Sequence, residues 1–215
     1  MWNSGWDKIF KKYKWGKYPD LSLVRFLSKN LNLKNKRVLE LGVGTGANLN
    51  FFIEKKLKVF GIDGSKVALK IANKNLKRKK KFIKLVQGDI IKLPYQNNFF
   101  DYIIDCECLY ANSLKDTKKI LSEVNRVLKK GGYFFSKTFA KNTVGNHFIR
   151  KNRKKKNLNV HFIKKGYGTF RISSLSEIKK IYSSNFKILN IELEIRTANN
   201  MKDFIKEWVV ISKKV

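Results

Sequence analysis

The chain is poor in proline, cysteine, histidine and acid. Two prolines in 215 residues exclude proline-rich linkers, and no Gly/Ser-rich stretch or internal repeat stands in for them, so one continuous domain is expected. Cys106 and Cys108 are the two cysteines. One residue apart, they supply neither a disulfide framework nor, alone, a zinc site, and no metal is expected. No apolar run approaches the roughly 18 residues that would suggest a bilayer span. The first residues (MWNSGWDKIFKKYKWG) carry charges every few positions and lack the apolar stretch of a secretion signal. A cytoplasmic location with no membrane partner is the expectation.

Sixteen acidic residues face 48 basic ones, a formal charge of +32. Hydrophobic residues still make up 43%, enough for a sizeable core, so the chain is not a disordered polycation. The charge has two readings. One is a polyanionic partner such as RNA, DNA or a membrane surface. The other is compositional: 40 lysines against 8 arginines, with 6 alanines, match an AT-rich coding bias that puts lysine at exposed sites. The cluster Lys151 to Lys156 (KNRKKK) is the best candidate for an anion contact. Lys77 to Lys81 (KRKKK) reads as a solvated helix end, favoured by the helix dipole.

Short apolar runs alternate with helical stretches. Strands are predicted at 36–41, 57–62, 82–87, 99–105 and 133–138, and helices at 46–56, 65–78 and about 115–129. Ser65 is a candidate helix N-cap. Lys129 to Gly132 (KKGG) reads as a basic last turn with a glycine stop. Strand alternating with helix means a parallel sheet with helices on both faces. Residues 139–172 are then basic, aromatic and irregular. A helix at 174–184 and two long alternating strands, 186–196 and 206–213, close the chain as an antiparallel pair. Residues 1–30 form an aromatic amino-terminal cap over the sheet's carboxyl edge or its flank.

Val38 to Gly46 (VLELGVGTG) is the most informative stretch. Three glycines at alternate positions between a strand and a helix allow a tight turn and close approach of a ligand to the backbone. Ligands bind such sheets at the carboxyl edge. Asp63 ends the next strand, where its carboxylate can accept two hydrogen bonds from a ribose diol. Asp89 ends the third, where it can reach an adenine amino group while Ile90 packs on the ring. Gly42, Gly44 and Ala47 also fit the dinucleotide fingerprint, so a nicotinamide enzyme is an alternative. Glu40, two residues before the first glycine, disfavours it: a carboxylate there repels a pyrophosphate and suits an ammonium group.

Together these motifs resemble class I S-adenosylmethionine-dependent methyltransferases. The resemblance rests on VLELGVGTG, Asp63, Gly88-Asp89, Asn98 to Asp105 (NFFDYIID) and Arg126 to Phe134 (RVLKKGGYF). It covers about 36–138 by motif and the rest by architecture. It implies an α/β, Rossmann-like sheet of seven strands, mostly parallel with the last strand antiparallel, and a single domain over 1–215. That domain divides into a cap (1–30), a cofactor-binding core (36–138), a substrate-side insertion (139–172) and a terminal helix with a strand pair (174–215). It implies S-adenosylmethionine as cofactor. Gly42, Gly44 and Gly46 would wrap the methionine part, Asp63 with Gly64 would hold the ribose, and Asp89 with Ile90 would frame adenine. Cys106 falls where a backbone carbonyl meets the methionine ammonium.

Methyl transfer needs mostly alignment and exclusion of water, so a catalytic residue need not stand out. His147 and His161, the only histidines, lie in the insertion; each is a candidate base or a packing residue. Tyr110 stands where many related enzymes carry histidine, and either lines the transfer channel or packs. Glu107 is a candidate base or ammonium partner. Trp15 and Tyr18 either close over the ligands or join the core. Arg171 (GTFRISS) either grips an anionic substrate group or forms a surface ion pair.

The place after the fourth strand reads Asp105-Cys-Glu-Cys108, without the Pro-Pro-aromatic motif of adenine and glutamine amino methylation. Cytosine C5 methylation lacks its Pro-Cys context and second cysteine. No RNA-binding domain of a known type is visible. The compact chain, with Trp15 to Pro19 (WGKYP) near its start and Arg196-Thr and Glu207-Trp-Val-Val near its end, is similar to uncharacterised bacterial type 11 methyltransferases. Transfer to a polar small molecule, a sugar or anionic metabolite, leads. RNA methylation through the lysine surface and a non-catalytic cofactor-binding protein are the alternatives.

Overall fold

The computed structural model describes residues 3–13, 15–29, 33–143, 160–164 and 167–215. After the helices α1 (Gly5–Lys12) and α2 (Leu21–Lys29), the core runs β1 (Arg37–Leu41), α3 (Leu49–Glu54), β2 (Lys58–Asp63), α4 (Lys66–Leu76), β3 (Ile83–Gln87), β4 (Phe100–Cys106), α5 (Leu114–Val127) and β5 (Leu128–Phe139). A hairpin, β6 (Val160–Lys164) with β7 (Tyr167–Arg171), precedes α6 (Leu175–Ser183), β8 (Lys187–Ala198) and β9 (Asp203–Lys213). The sheet has seven strands in the order β3-β2-β1-β4-β5-β9-β8. Neighbours among β1 to β5 are parallel, and β9 is antiparallel to both β5 and β8. This is the mostly parallel sheet with an antiparallel last strand that the sequence implied.

Successive side chains of a strand point to opposite faces, and the two cores follow that alternation. Leu39, Leu41, Ile62, Ile103 and Phe134 pack under α5 and α6. Val38, Val59, Ile104 and Phe135 pack under α2, α3 and α4. Each fully buried Leu, Ile or Phe contributes about 1.5–3 kcal/mol, so these two layers hold the fold. Among the described residues, no helix is long and apolar enough to cross a membrane.

Ser65 caps α4 by accepting from the Ala68 amide. α5 stops at Val127, short of the KKGG sequence that reads as its stop. Leu128 already pairs with Phe100, and the ladder shifts register before Tyr102 and Tyr133 resume it. Gly131 (φ +77°) and Gly132, whose Cβ would lie 3.0 Å from the Asp101 carbonyl, therefore serve a strand irregularity rather than a helix end. Lys129 pairs sideways with Asp101 at 2.8 Å instead of capping carbonyls. In the stretch 139–172, expected to be irregular, the β6–β7 hairpin is the regular part. The basic cluster 151–156 lies outside the described residues.

The amino-terminal cap covers both places expected of it. Leu23, Phe26 and Leu27 of α2 enter the flank core. α1 lies against α4 and β7, over the carboxyl edge.

Candidate active site

β1 and β4 are neighbours whose connections leave on opposite sides of the sheet, and a crevice opens where they diverge. It encloses about 340 Å³. The turn after β1 forms its floor. Gly42 and Gly44 adopt φ of +64° and +55°, a region costly for residues with a Cβ. A Cβ on Gly42 would sit 2.4 Å from Cys108 Sγ. Gly46 has φ +80° but does not line the crevice: its Cβ would lie 3.1 Å from Ala72 Cβ, so this glycine lets α4 approach the turn. The crevice lining does not bring it beside Gly42 and Gly44.

Asp63 ties the turn to β2. Its carboxylate accepts from the amides of Gly44 (2.7 Å) and Ser65 (2.7 Å). Burial raises its pKa while these two donors oppose the rise. Gly64, Asp89 and Ile90 line the same wall, and Asp89 Oδ1 accepts from the Ile91 amide.

Glu40 is 2% exposed. Asn48 Nδ2 donates to its Oε1 at 2.6 Å, and Asn48 in turn accepts from the Asp20 amide. Among the described residues Glu40 Oε2 has no hydrogen-bond partner although it is buried. Burial pushes the carboxyl up to about 8; Asn48 opposes this, and Asp63 and Asp105 add to it. An unpaired buried oxygen carries a desolvation cost that a cationic ligand group would remove.

Asp105, fully buried, accepts from the amides of Cys108 and Leu109 and from Ser136 Oγ. It thereby shapes the turn after β4, on which Cys106, Glu107, Cys108 and Tyr110 line the crevice. Burial and nearby carboxylates push both thiols well above their ordinary pKa, the reverse of an activated nucleophile. Burial does the same to the Tyr110 hydroxyl. Glu107 has φ +61°, and its amide donates to the Lys137 carbonyl. Its carboxyl shares a hydrogen bond with Glu207 and is pushed up to about 8, by desolvation against the crevice wall first and then by Glu207, while the residue keeps accessible surface.

Behind Glu107 lies an ion cluster that no local sequence pattern announced. Lys137, 6% exposed, reaches Asp20 at 2.8 Å, Glu194 at 3.1 Å and Glu207 at 3.4 Å. The roof is aromatic. Trp6 and Phe10 of α1 line the crevice with Trp15 and Tyr18. Trp6 meets Tyr110 edge-on at 6.3 Å, and Phe10 meets Trp15 at 5.3 Å. Ser65 Oγ hydrogen-bonds Asp7 and so fastens α1 to the start of α4. Trp6 and Phe10 were legible only as part of an aromatic segment; their spacing on one short helix was the available signal.

The structure thus gathers Glu40, Gly42, Gly44, Asp63, Gly64, Asp89 and Ile90 with Cys106, Glu107, Tyr110, Trp15 and Tyr18. Arg171 is not among them. It is 4% exposed, donates to Ser173 Oγ at 2.6 Å and lies beside Thr117, away from the crevice. Burial there rules out the surface ion pair; among the described residues its Nε has no hydrogen-bond partner, and it lies outside the crevice lining. His161 belongs to β6 with its side chain undescribed, and His147 lies outside the described residues.

A parallel sheet with an antiparallel terminal strand, a glycine turn after β1 and acids at the ends of β1, β2 and β3 define a nucleoside-binding α/β protein. A family described as a methyltransferase domain matches residues 32–189. The chain belongs to this family, that of the class I S-adenosylmethionine-dependent methyltransferases. It is similar to a sterol 24-C-methyltransferase of Gibberella zeae, 28% identical over 147 residues, covering 62% of this chain and 37% of that one. It is also similar to a demethylmenaquinone methyltransferase of Renibacterium salmoninarum, 32% identical over 110 residues, covering 51% and 44%. The chain thus spans less than half the length of these relatives. Among solved structures it shares its fold with a methyltransferase of Methanosarcina mazei (TM-score 0.73, 18% identity, 94% and 99% covered). A Burkholderia thailandensis 1,6-didemethyltoxoflavin-N1-methyltransferase, solved with its acceptor and S-adenosylhomocysteine, gives a TM-score of 0.65 at 16% identity, with 90% and 75% covered. The [4+2]-cyclase SpnF shares the fold as well, with a TM-score of 0.66 at 18% identity and 90% and 80% covered, so fold alone does not name the reaction.

Proposed function

We propose that this protein transfers a methyl group from S-adenosylmethionine to a polar small molecule. The observation that carries the reading is the unpartnered, buried Glu40 Oε2 beside the Gly42–Gly44 turn. A neutral carboxyl with a free oxygen is a costly feature in an empty crevice, and the donor's ammonium group completes it. The other residues fit the same ligand. Gly42 and Gly44 admit it against the backbone, Asp63 keeps lone pairs for a ribose diol, and Asp89 with Ile90 suits adenine.

When bound, S-adenosylmethionine supplies a methyl group already activated on a sulfonium. The chain's contribution is to orient and to exclude water. α1 roofs the crevice with Trp6 and Phe10, and the turn after β4 presents Glu107 and Tyr110 at its wall. No residue needs to form a covalent bond. The raised thiols of Cys106 and Cys108 argue against the cysteine-adduct chemistry of cytosine C5 methylation. Among the described residues the crevice lining holds no lysine or arginine, which leaves an anionic acceptor without a cationic partner there.

Two measurements test the reading. S-adenosylhomocysteine should bind the protein in calorimetry, and Glu40→Gln should weaken it by about tenfold or more, as loss of a charged hydrogen bond requires. With labelled S-adenosylmethionine and fractionated cell extract, label should enter small metabolites. Label confined to RNA or protein refutes the small-molecule acceptor, and no binding of S-adenosylhomocysteine refutes the whole reading.

A further inference from the structure

The charge around Glu107 is unbalanced. Glu107 and Glu207 share a hydrogen bond, and Asp20 and Glu194 lie with Glu207 around the buried ammonium of Lys137. Arg25 reaches Glu194 only from the exposed side, at 3.7 Å. Among the described residues four carboxylates therefore face two cations, in a chain whose formal charge is +32. The surplus sits on the crevice wall, because Glu107 and Asp20 line it and Glu107 keeps accessible surface. Beside it stand the rings of Trp6 and Tyr110. Carboxylates with aromatic faces form a chemistry that selects cations carried on apolar bodies.

Resting on the donor-site reading above, we infer that the acceptor is an amine on a flat apolar body, held as its ammonium ion by the Glu107–Glu207 pair under Trp6 and Tyr110. The pair also takes its proton. One N–H bond of the ammonium breaks, its electrons stay on nitrogen as the lone pair that methylation requires, and the proton passes to a Glu107 carboxylate oxygen. Glu207 is a positioning residue: it does not line the crevice, and it acts by holding Glu107 and by setting how readily that carboxyl gives up its own proton. Glu107 keeps its proton below pH about 8 and gives it up above, so cation binding strengthens as pH rises through that range. Glu40, pushed up to about 8 when no ammonium faces it, is ionised by the bound S-adenosylhomocysteine under the conditions of the test, and the remaining groups around Glu107 do not produce this trend. Cys106, Cys108 and Tyr110 stay protonated, Asp20 is held ionised by Lys137 against its burial, and Lys137 stays charged. Asp105, raised to about 6, finishes its titration earlier.

The test uses the full chain saturated with S-adenosylhomocysteine, with saturation verified by calorimetry. Two probes of matched body are titrated by ligand-observed NMR: 2-phenylethylamine, a cation throughout, and 3-phenylpropanoate, an anion. The cation should bind about tenfold or more tightly than the anion, and its affinity should rise several-fold from about pH 6 to about pH 8.5. Glu207→Gln removes the like charge and should flatten that rise, while Glu107→Gln should weaken the cation across the range. The native pH dependence and Glu107→Gln stand as the test if Glu207→Gln does not fold. Equal or tighter anion binding, a pH-independent cation affinity in the native protein, or no cation binding overturns the inference. Failure of S-adenosylhomocysteine to saturate overturns the donor site itself, and this assignment with it.

Discussion

Replacing Glu40 by glutamine should make the empty protein less sensitive to alkali. In the folded chain the Glu40 carboxyl titrates near 8, against an ordinary value of 4.5. Below 4.5 it is protonated whether the chain is folded or not, so it contributes no pH dependence. Between 4.5 and 8 the unfolded chain releases the proton and the folded chain keeps it, so stability falls as pH rises. Above 8 the loss levels off. At 1.36 kcal/mol per pH unit the full loss is roughly 4–5 kcal/mol. Glutamine preserves the shape and the hydrogen bond from Asn48 and cannot ionise. Urea denaturation from about pH 5 to about pH 8.5 should therefore show the two proteins drawing apart, with the variant gaining several kcal/mol relative to the native chain at the alkaline end. Glu107 and Asp105 titrate in both proteins, so the difference isolates Glu40. The same carboxyl must ionise to receive an ammonium group. Near pH 6.5, S-adenosylhomocysteine should release about one proton on binding the native protein, read from the buffer dependence of the calorimetric enthalpy, and none on binding the variant. Stability curves that stay parallel across the range refute the claim that Glu40 is buried and neutral.

Three further outcomes are expected. Asp63→Ala should weaken S-adenosylhomocysteine by about 1–3 kcal/mol, since it removes charged hydrogen bonds; an unchanged Kd would remove Asp63 from the ribose site. Lys137→Met should cost about 3–5 kcal/mol near pH 7, because it strands Asp20, Glu194 and Glu207. With Lys137 gone, burial should lift Asp20, so the cost should shrink in acid as Asp20 protonates, and a loss unchanged by pH would mean that Lys137 matters only as packing. Gly42→Ala should lower stability by about 1–3 kcal/mol through its positive φ and the clash with Cys108. Adding Cys108→Gly should recover part of the loss, and no recovery would refute the clash.

Local physics made much of the molecule legible beforehand. β1 reads as a two-faced buried strand because Val38, Leu39 and Leu41 divide between the two cores. The glycine turn reads as a ligand turn because positive φ and close approach are backbone demands met by residues next to one another. The Ser65 cap is likewise a three-residue matter. The end of α5 departs from its local signal for a related reason. KKGG satisfies the local rules for a helix stop, but pairing of Leu128 with Phe100 claims the segment for the sheet.

The strand–helix alternation, the glycine turn and the acids near three strand ends were legible in the chain, because each follows from spacing within a few residues. Tertiary structure alone decided which charges meet. Glu107 and Glu207 are a hundred positions apart, and Lys137 and Asp20 lie 117 apart; only the pairing of β5 with β9 and the docking of α2 bring them together. It also decided that Arg171 is buried while Glu107 faces the crevice. Burial and long-range electrostatics depend on the packed sheet rather than on chain neighbours, and these two set the protonation of the site.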